Sequence, residues 1–582
     1  MATNSDSIVL AKDASSLTPR RVGLLLVCAL ILTVCWRMAE VRPSALFEPA
    51  SLTSVWTFLR GLFPPDFSPE FLRVVLAATG WTVAIALAGS ALSIGIGLPL
   101  GVMATSTLWR RGVLLSGDPD SAGTLLLRGL SRFTRALLGF LRAIPDLMWG
   151  LFFVVAVGLG SLAGTLALAV SYGGVLGRVY ADVFEDVDPR PLEALHSSGA
   201  SRAQIFLRAI WPQAAPSITA YTLYNFECAV RAASVLGFVG AGGIGYEINI
   251  SMRLFNYGQV LTLILAFVCL LTATDAVSRF FRRRLHAQVT STSRVRFLME
   301  ETLGGLASPV GRIASHFLWP VAFIAVAFSF YAVGFINGAL LDVQIGARLL
   351  RFVGKMFPPD VAPTFLLSLV KPIFQTISIS VIGTLIGVAL GATLALPATS
   401  ALMLIPPEYA GRHSPIQSAA RWLAYHAARA IFTVLRSIPE LVWVLICMLA
   451  VGLGPFAGTL AIGLHTGGVL GKLYAETLEE VPMKPVEALR ALGARPIQIF
   501  TWAMWPQARP MLTSYTVLRW EMNLRVSTVL GLVGGGGMGQ AIYNNVQLGF
   551  YARLLTLIAV VYALVITTDW ISDRLRFRTV TA

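Results

Sequence analysis

Gly240, Gly242 and Gly245 spell G-x-G-x-x-G inside "LGFVGAGGIGYE", the spacing of a loop that wraps a dinucleotide pyrophosphate. That chemistry requires a strand before the glycines, a helix after them and an acidic residue about 20 positions on to hold a ribose. Here a long apolar run leads in, and no Asp or Glu lies between Glu247 and Asp275. The pattern also returns as "VGGGGMG" at Val533–Gly539, with Gly534, Gly536 and Gly539 in the matching places. A nucleotide site is not indicated. The ionisable residues just upstream are Glu227 and Arg231, repeated as Glu521 and Arg525. On a helix a spacing of four puts both side chains on one face, one turn apart. The five cysteines lie in apolar stretches without C-x-x-C spacing, and the six histidines are scattered, so neither a metal site nor a disulfide framework is expected.

The elements that must carry these residues are membrane spans. The 582-residue chain is 56% hydrophobic and 13% charged, with mean hydropathy +0.72, against about 25% charged residues in soluble domains. A net charge of +15 is compatible with a nucleic-acid partner, but the basic residues fall in gaps between apolar runs, where membrane topology places them. No nucleic-acid role is expected. Arg20 and Arg21 precede the apolar run Val22–Trp36, which reads as an uncleaved first span.

The chain is written twice. "LFPPDFSPEFL" at Leu62 matches "MFPPDVAPTFL" at Met356, and the same offset of 294 aligns "FLRAIPDLMW" with "VLRSIPELVW" and "VGLGSLAGTLAL" with "VGLGPFAGTLAI". So long a period indicates duplication of a whole domain. Expected units are a first half at 1–290, a cytoplasmic linker at 291–313 and a second half at 314–582. In the first copy, candidate spans fall near 22–39, 73–104, 134–157, 159–175, 215–239 and 257–277, the fourth marginal and the second long enough for a tilted or extramembrane end. The expected fold is therefore an all-α, polytopic membrane protein of about 12 transmembrane helices. Clusters of arginine alternate with poorly basic connections, which puts both termini in the cytoplasm and makes the repeats parallel. Inverted-repeat secondary transporters are built otherwise.

The largest cytoplasmic feature of each copy is "DVDPRPLEALHSSGASRAQIFLRAIWPQAAP", repeated as "EVPMKPVEALRALGARPIQIFTWAMWPQARP". It reads as two short helices: Pro191 opens the first, Gly199 ends it in a left-handed cap, and Ser201 with Gln204 forms a capping box for the second. Pro496 serves the equivalent first turn. The apolar residues Leu192, Leu195, Ile205 and Phe206 suit a groove of a partner protein, or an interfacial helix pair packed on its own domain.

Glu193, Ala194, Leu195, Gly199 and Pro212, with Glu487, Ala488, Leu489, Gly493 and Pro506, resemble the EAA loop of type I ABC importer permeases. The family's Ile and Leu before the proline are here Ala209 and Trp211, or Ala503 and Trp505. The flanking "RAIPDLMW", "YTLYNFECAVRAASVLGFVGAGGIG" and "LTLILAF" resemble the phosphonate transporter permeases, over about Leu62–Arg279 and Met356–Ser572. The resemblance implies a bacterial inner-membrane subunit with both permease halves fused. It implies two cytoplasmic ABC ATPase subunits, one at each EAL loop, and an extracytoplasmic binding protein delivering phosphonate or a related phosphorus oxyanion. The chain would be no enzyme: it lacks a full phosphate-binding loop, so ATP and Mg belong to the partner ATPase, and no cofactor is expected on this chain. The alternatives are an ABC importer for another small solute and an ion-coupled secondary transporter.

Two readings stand for the charges inside the spans. Arg231 and Arg525, brought together across the pseudo-twofold axis, attract an oxyanion in passage; or each pairs with its own Glu227 or Glu521 and fixes helix packing. Asp146 and Glu440, each after a proline, are expected at a kink or helix start as caps for freed backbone donors. The glycines end the fifth span on its outer side, either as an outer gate with amides offered to an anion or as a plain tight turn.

Overall fold

The computed structural model describes residues 19–109, 122–289, 309–335, 343–404 and 415–581, and among these every regular element is a helix. Most of the expected 291–313 linker lies outside the described residues.

Each half contributes six membrane elements in the same order. In the first these are Pro19–Met38, Pro69–Ala104, the pair Ala122–Ala143 and Asp146–Val157, then Ser161–Glu185, Trp211–Leu236 and Tyr257–Val289. The second repeats them as Pro309–Ala332, Val370–Ala398, Pro415–Ser437 with Glu440–Val451, Pro455–Glu479, Trp505–Leu530 and Tyr551–Thr581. Among the described residues six helices are long and apolar enough to cross a membrane, or eight if each bent pair is one span. Trp505–Leu530 misses that test because it carries Arg509, Arg519, Glu521 and Arg525. Pro69–Ala104 has 36 residues and rises about 54 Å, well beyond a hydrocarbon core of about 30 Å, as its sequence length required.

The third span, 134–157, is broken at its proline, where a kink or helix start was expected: its two helices meet at 88°, and their counterparts at 98°. Pro145 and Pro439 have no amide hydrogen and push the preceding residue out of the helical region, so the chain turns there. The marginal fourth span is a 25-residue helix. Its glycines form an interface with Pro69–Ala104. A Cβ on Gly97 would lie 3.0 Å from the backbone of Gly173 and of Gly177, and one on Gly391 would lie 2.9 Å from Gly471 N. Small residues thus let two backbones touch, the usual basis of helix association where lipid and side chain are equally apolar.

The halves exchange helices. Pro19–Met38 packs on Val370–Ala398, with Cys35 and Ala39 buried against Ile382, while Pro309–Ala332 packs on Pro69–Ala104. The short amphipathic helices cross likewise: Pro49–Gly61 lies on Glu440–Val451, and Val343–Lys355 lies on Asp146–Val157, where the rings of Phe152 and Phe352 are 6.3 Å apart.

Candidate functional site

Trp211–Leu236 and Trp505–Leu530 each carry a glycine turn at one end and a loop of two short helices at the other. At the glycine end a cavity of about 890 Å³ opens between the halves, lined at equivalent positions by Leu151 and Leu445, Leu159 and Leu453, and Gly240 and Gly534. The turns superpose in conformation as well as sequence: φ is +99° at Gly240 and +102° at Gly534, and +82° at Gly242 and +78° at Gly536. Gly245 and Gly539 serve close approach instead, since a Cβ there would strike the carbonyl oxygen of Ser234 or Thr528. Several of the turn's amides are committed internally. Ile244 N donates to Thr82 Oγ1 at 2.9 Å, Met538 N to Thr376 Oγ1 at 2.8 Å, and Gly240 N to Gly237 O at 3.0 Å. The expectation of amides offered to an anion is reduced accordingly.

Asp146–Val157 and Glu440–Val451 run from the two breaks toward this cavity. Leu151 lies five positions after Asp146, as Leu445 does after Glu440, about 7.5 Å along the helix, and Leu147 and Leu441 on these stretches are buried. The two carboxylates behave differently. Asp146 Oδ1 accepts from Leu147 N at 2.9 Å, which is the capping role expected of it. Glu440 Oε1 instead meets His465 Nε2 at 3.1 Å and accepts from Arg519 Nη2 at 3.3 Å. His465 Nδ1 lies 3.1 Å from the Ile438 carbonyl, so both ring nitrogens face acceptors. The matching positions in the first half hold Ser171 and Asn225, with neither cation nor imidazole.

The arginines of the fifth spans differ as much. Arg525 Nη2 donates to Glu521 at 3.1 Å and to both oxygens of Asp569 at 2.7 and 2.9 Å. Arg576 reaches Glu521 at 3.4 Å, and Arg142 of the first half lies 3.9 Å from Asp569. For Arg525 the geometry therefore favours a packing network. Arg231 is exposed, and among the described residues no carboxylate lies within 4.0 Å of it. Glu227, its expected partner, is half-buried and interacts elsewhere. His465, Arg519, Asp569 and Arg576 carry no motif; only comparison of the two copies, residue by residue, marks the first two as departures.

At the other end the first loop helix begins at Pro189, capped by Asp188, two residues before the expected Pro191, because the Asp188 carboxylate takes the Arg190 amide; Gly199 ends it as expected with φ +82°, as Gly493 does with +79°. Ser201 N donates to Gln204 Oε1 at 2.8 Å and Gln204 N to Ser201 Oγ at 3.4 Å, completing the capping box. One feature was not legible beforehand. Pro212 and Pro506 cannot donate, and the turns Phe206–Ile210 and Phe500–Met504 widen to π-helix. Gln213 Nε2 then fills the Ala209 carbonyl at 2.8 Å, and Gln507 Nε2 that of Ala503 at 2.6 Å. The partner-groove reading of the apolar residues needs correction. Leu192 and Ile205 are buried in their own domain with Leu176, Tyr180 and Phe184, and Leu195 and Phe206 pack beside them. What faces outward is Glu193 and Ala194, with Glu487 and Ala488, beside the exposed Leu207, Leu492 and Trp502.

Comparison with known proteins agrees with this architecture. The profile of the family described as "Binding-protein-dependent transport system inner membrane component" matches residues 121–287 and again 416–581. "Phosphate-import permease protein PhnE" of Mycolicibacterium smegmatis is 29% identical over 537 residues, covering 92% of this chain and 91% of that protein. "Phosphite transport system permease protein PtxC" of Stutzerimonas stutzeri is 32% identical over 45% of this chain and 89% of its own length. "Putative cryptic phosphonate transport system permease protein PhnE2" of Escherichia coli is 37% identical over 20% of this chain and 96% of its own. The chain belongs to the binding-protein-dependent transport system inner membrane component family, as a multi-pass ABC importer subunit that carries the family's domain twice.

Proposed function

We propose that this chain forms both halves of the pathway through which an ATP-driven importer moves a phosphorus oxyanion, whether phosphonate, phosphate or phosphite. The observation that carries the substrate class is the end-to-end match to a phosphate-import permease. In this reading the loop end faces the cytoplasm, with both termini on that side, and the glycine end meets an extracytoplasmic binding protein. Units 1–290 and 314–582 are the two permease halves, joined by the cytoplasmic linker 291–313. Two ATPase subunits, which hold ATP and Mg, dock on the exposed loops around Glu193, Ala194, Leu195 and Gly199 and around Glu487, Ala488, Leu489 and Gly493. Pro212 and Pro506 anchor the far end of each loop. Because Leu192 and Ile205 are embedded among residues of Ser161–Glu185, a displacement of the loop moves that helix with it. Gly240, Gly242 and Gly245, with Gly534, Gly536 and Gly539, form the outer gate, below which Arg231 faces the pathway.

The test is uptake by the complete transporter in proteoliposomes with its ATPase and binding protein. Inorganic phosphate, phosphite and methylphosphonate are each offered with and without ATP. Uptake of at least one, dependent on ATP and on the binding protein, is expected. Uptake of none, or uptake without ATP, contradicts the reading.

A further inference from the structure

The two copies are equivalent in sequence order but not in charge at the middle of the pathway. Around the second helix break stand Glu440, His465 and Arg519, whose side chains are 22%, 7% and 13% exposed. Around the first stand Asp146, Ser171 and Asn225, and the Asn225 Nδ2 is buried without a hydrogen-bond partner. The breaks approach each other across the axis between halves: Leu151 and Leu445, five positions beyond Asp146 and Glu440, line one cavity, and Arg142 just before the first break lies 3.9 Å from Asp569 of the second half, while Glu440, His465 and Arg519 each feel the charge of Arg231. The cluster therefore sits where the halves meet, one to two helical turns below the cavity at the glycine end. Ionisable groups at such depth are costly unless paired or serving a pathway. Arg519 has a carboxylate; Arg231 has none within 4.0 Å among the described residues.

We propose that Arg519 and Arg231 form an anion station on the axis, where a phosphorus oxyanion replaces the Glu440 carboxylate as the acceptor of the Arg519 guanidinium. The station rests on the importer reading above. A guanidinium binds carboxylate and phosphate oxygens through the same forked donors, so Glu440 acts as an internal substitute for the substrate. It keeps Arg519 satisfied between transport events, and its displacement releases binding energy gradually rather than trapping the anion. The exchange is one of counter-ions alone; no bond to phosphorus forms or breaks. His465, held between the Ile438 carbonyl and Glu440, receives the displaced carboxylate. The station is asymmetric, with the second half supplying Arg519 and the first supplying Arg231, and the paired Arg525 takes no part.

The experiment uses the full transporter in proteoliposomes, with inorganic phosphate, phosphite and methylphosphonate as probes. Arg231→Gln removes a cation that leaves no carboxylate stranded, so the protein folds. Glu440→Gln combined with Arg519→Gln removes both charges together, which a purely structural ion pair tolerates. Each is expected to lower uptake roughly tenfold or more at low substrate, while binding of the ATPase stays intact, as for loss of a charge-assisted contact to the substrate. Wild-type transport together with unchanged uptake in Arg231→Gln, or in the double variant, overturns the station alone. A wild type that moves none of the three probes overturns the importer reading and the station with it.

Discussion

At the scale of residues, identical letters have different surroundings. Arg231 and Arg525 occupy the same register, yet Arg525 is held by Glu521 and Asp569 while Arg231 is exposed. Arg525→Gln removes the nearest cation from those two partly buried carboxylates, leaving Arg576 at 3.4 Å and Arg142 at 3.9 Å, and should cost about 3 kcal/mol, the low end for breaking an inside ion pair. Adding Asp569→Asn should restore part of it, and Arg231→Gln should cost less than about 0.5 kcal/mol. Thermal unfolding in detergent checks all three, and equal losses at the two arginines would contradict the assignment. A pH effect belongs to the turns outside the membrane. The Ala362 amide at 3.0 Å and Arg553 at 2.9 Å hold the Asp360 carboxyl below the usual carboxylate range, and the Ser68 amide does the same for Asp66. A lowered folded pKa means stabilisation present above the unfolded value near 4 and lost as pH falls through the folded one. Acid should thus lower the melting temperature below about pH 4, and Asp360→Asn with Asp66→Asn should flatten that fall. The glycine cap at Gly199 and the Ser201–Gln204 box were readable because they depend on neighbours in sequence. The fate of Arg525 was not, because Asp569 and Arg142 come from distant helices.

At the scale of elements, the loop helices pack onto the spans through Leu192 and Ile205. Leu192 and Ile205 face inward and Glu193 outward, so substitutions on the two faces should separate folding from assembly. Glu193→Ala with Glu487→Ala should leave the melting temperature unchanged but reduce ATPase retention. Ile205→Asp buries an unpaired charge and should cost several kcal/mol, read as loss of folded protein from the membrane. If Glu193→Ala with Glu487→Ala retains the ATPase fully, the outward face is not the dock. The proline in "AIPDLMW" announced a break, but its 88° bend is fixed by packing against Ser161–Glu185. The π-turn before Pro212 was equally hidden: the sequence shows a proline without a donor but not which carbonyl Gln213 will take.

At the scale of the whole molecule, the halves are linked by exchange as well as by chain. The 294-residue offset revealed two copies, yet it carries no information on whether a helix packs within its copy or on the other. Pro19–Met38 and Pro309–Ala332 each cross to the opposite half. If the chain is cut within 291–313 and the pieces are co-expressed, they should copurify as a folded pair, while either piece alone should be lost from the membrane. Stable, independent pieces would contradict the exchange. If each loop docks one ATPase as proposed, the fusion sets the stoichiometry, since a single polypeptide presents both loops. The most direct test is therefore the native mass of the complex extracted in mild detergent. One copy of this chain with two ATPase subunits is the predicted result, and a complex that needs two copies of this chain, or that holds a single ATPase, would contradict it.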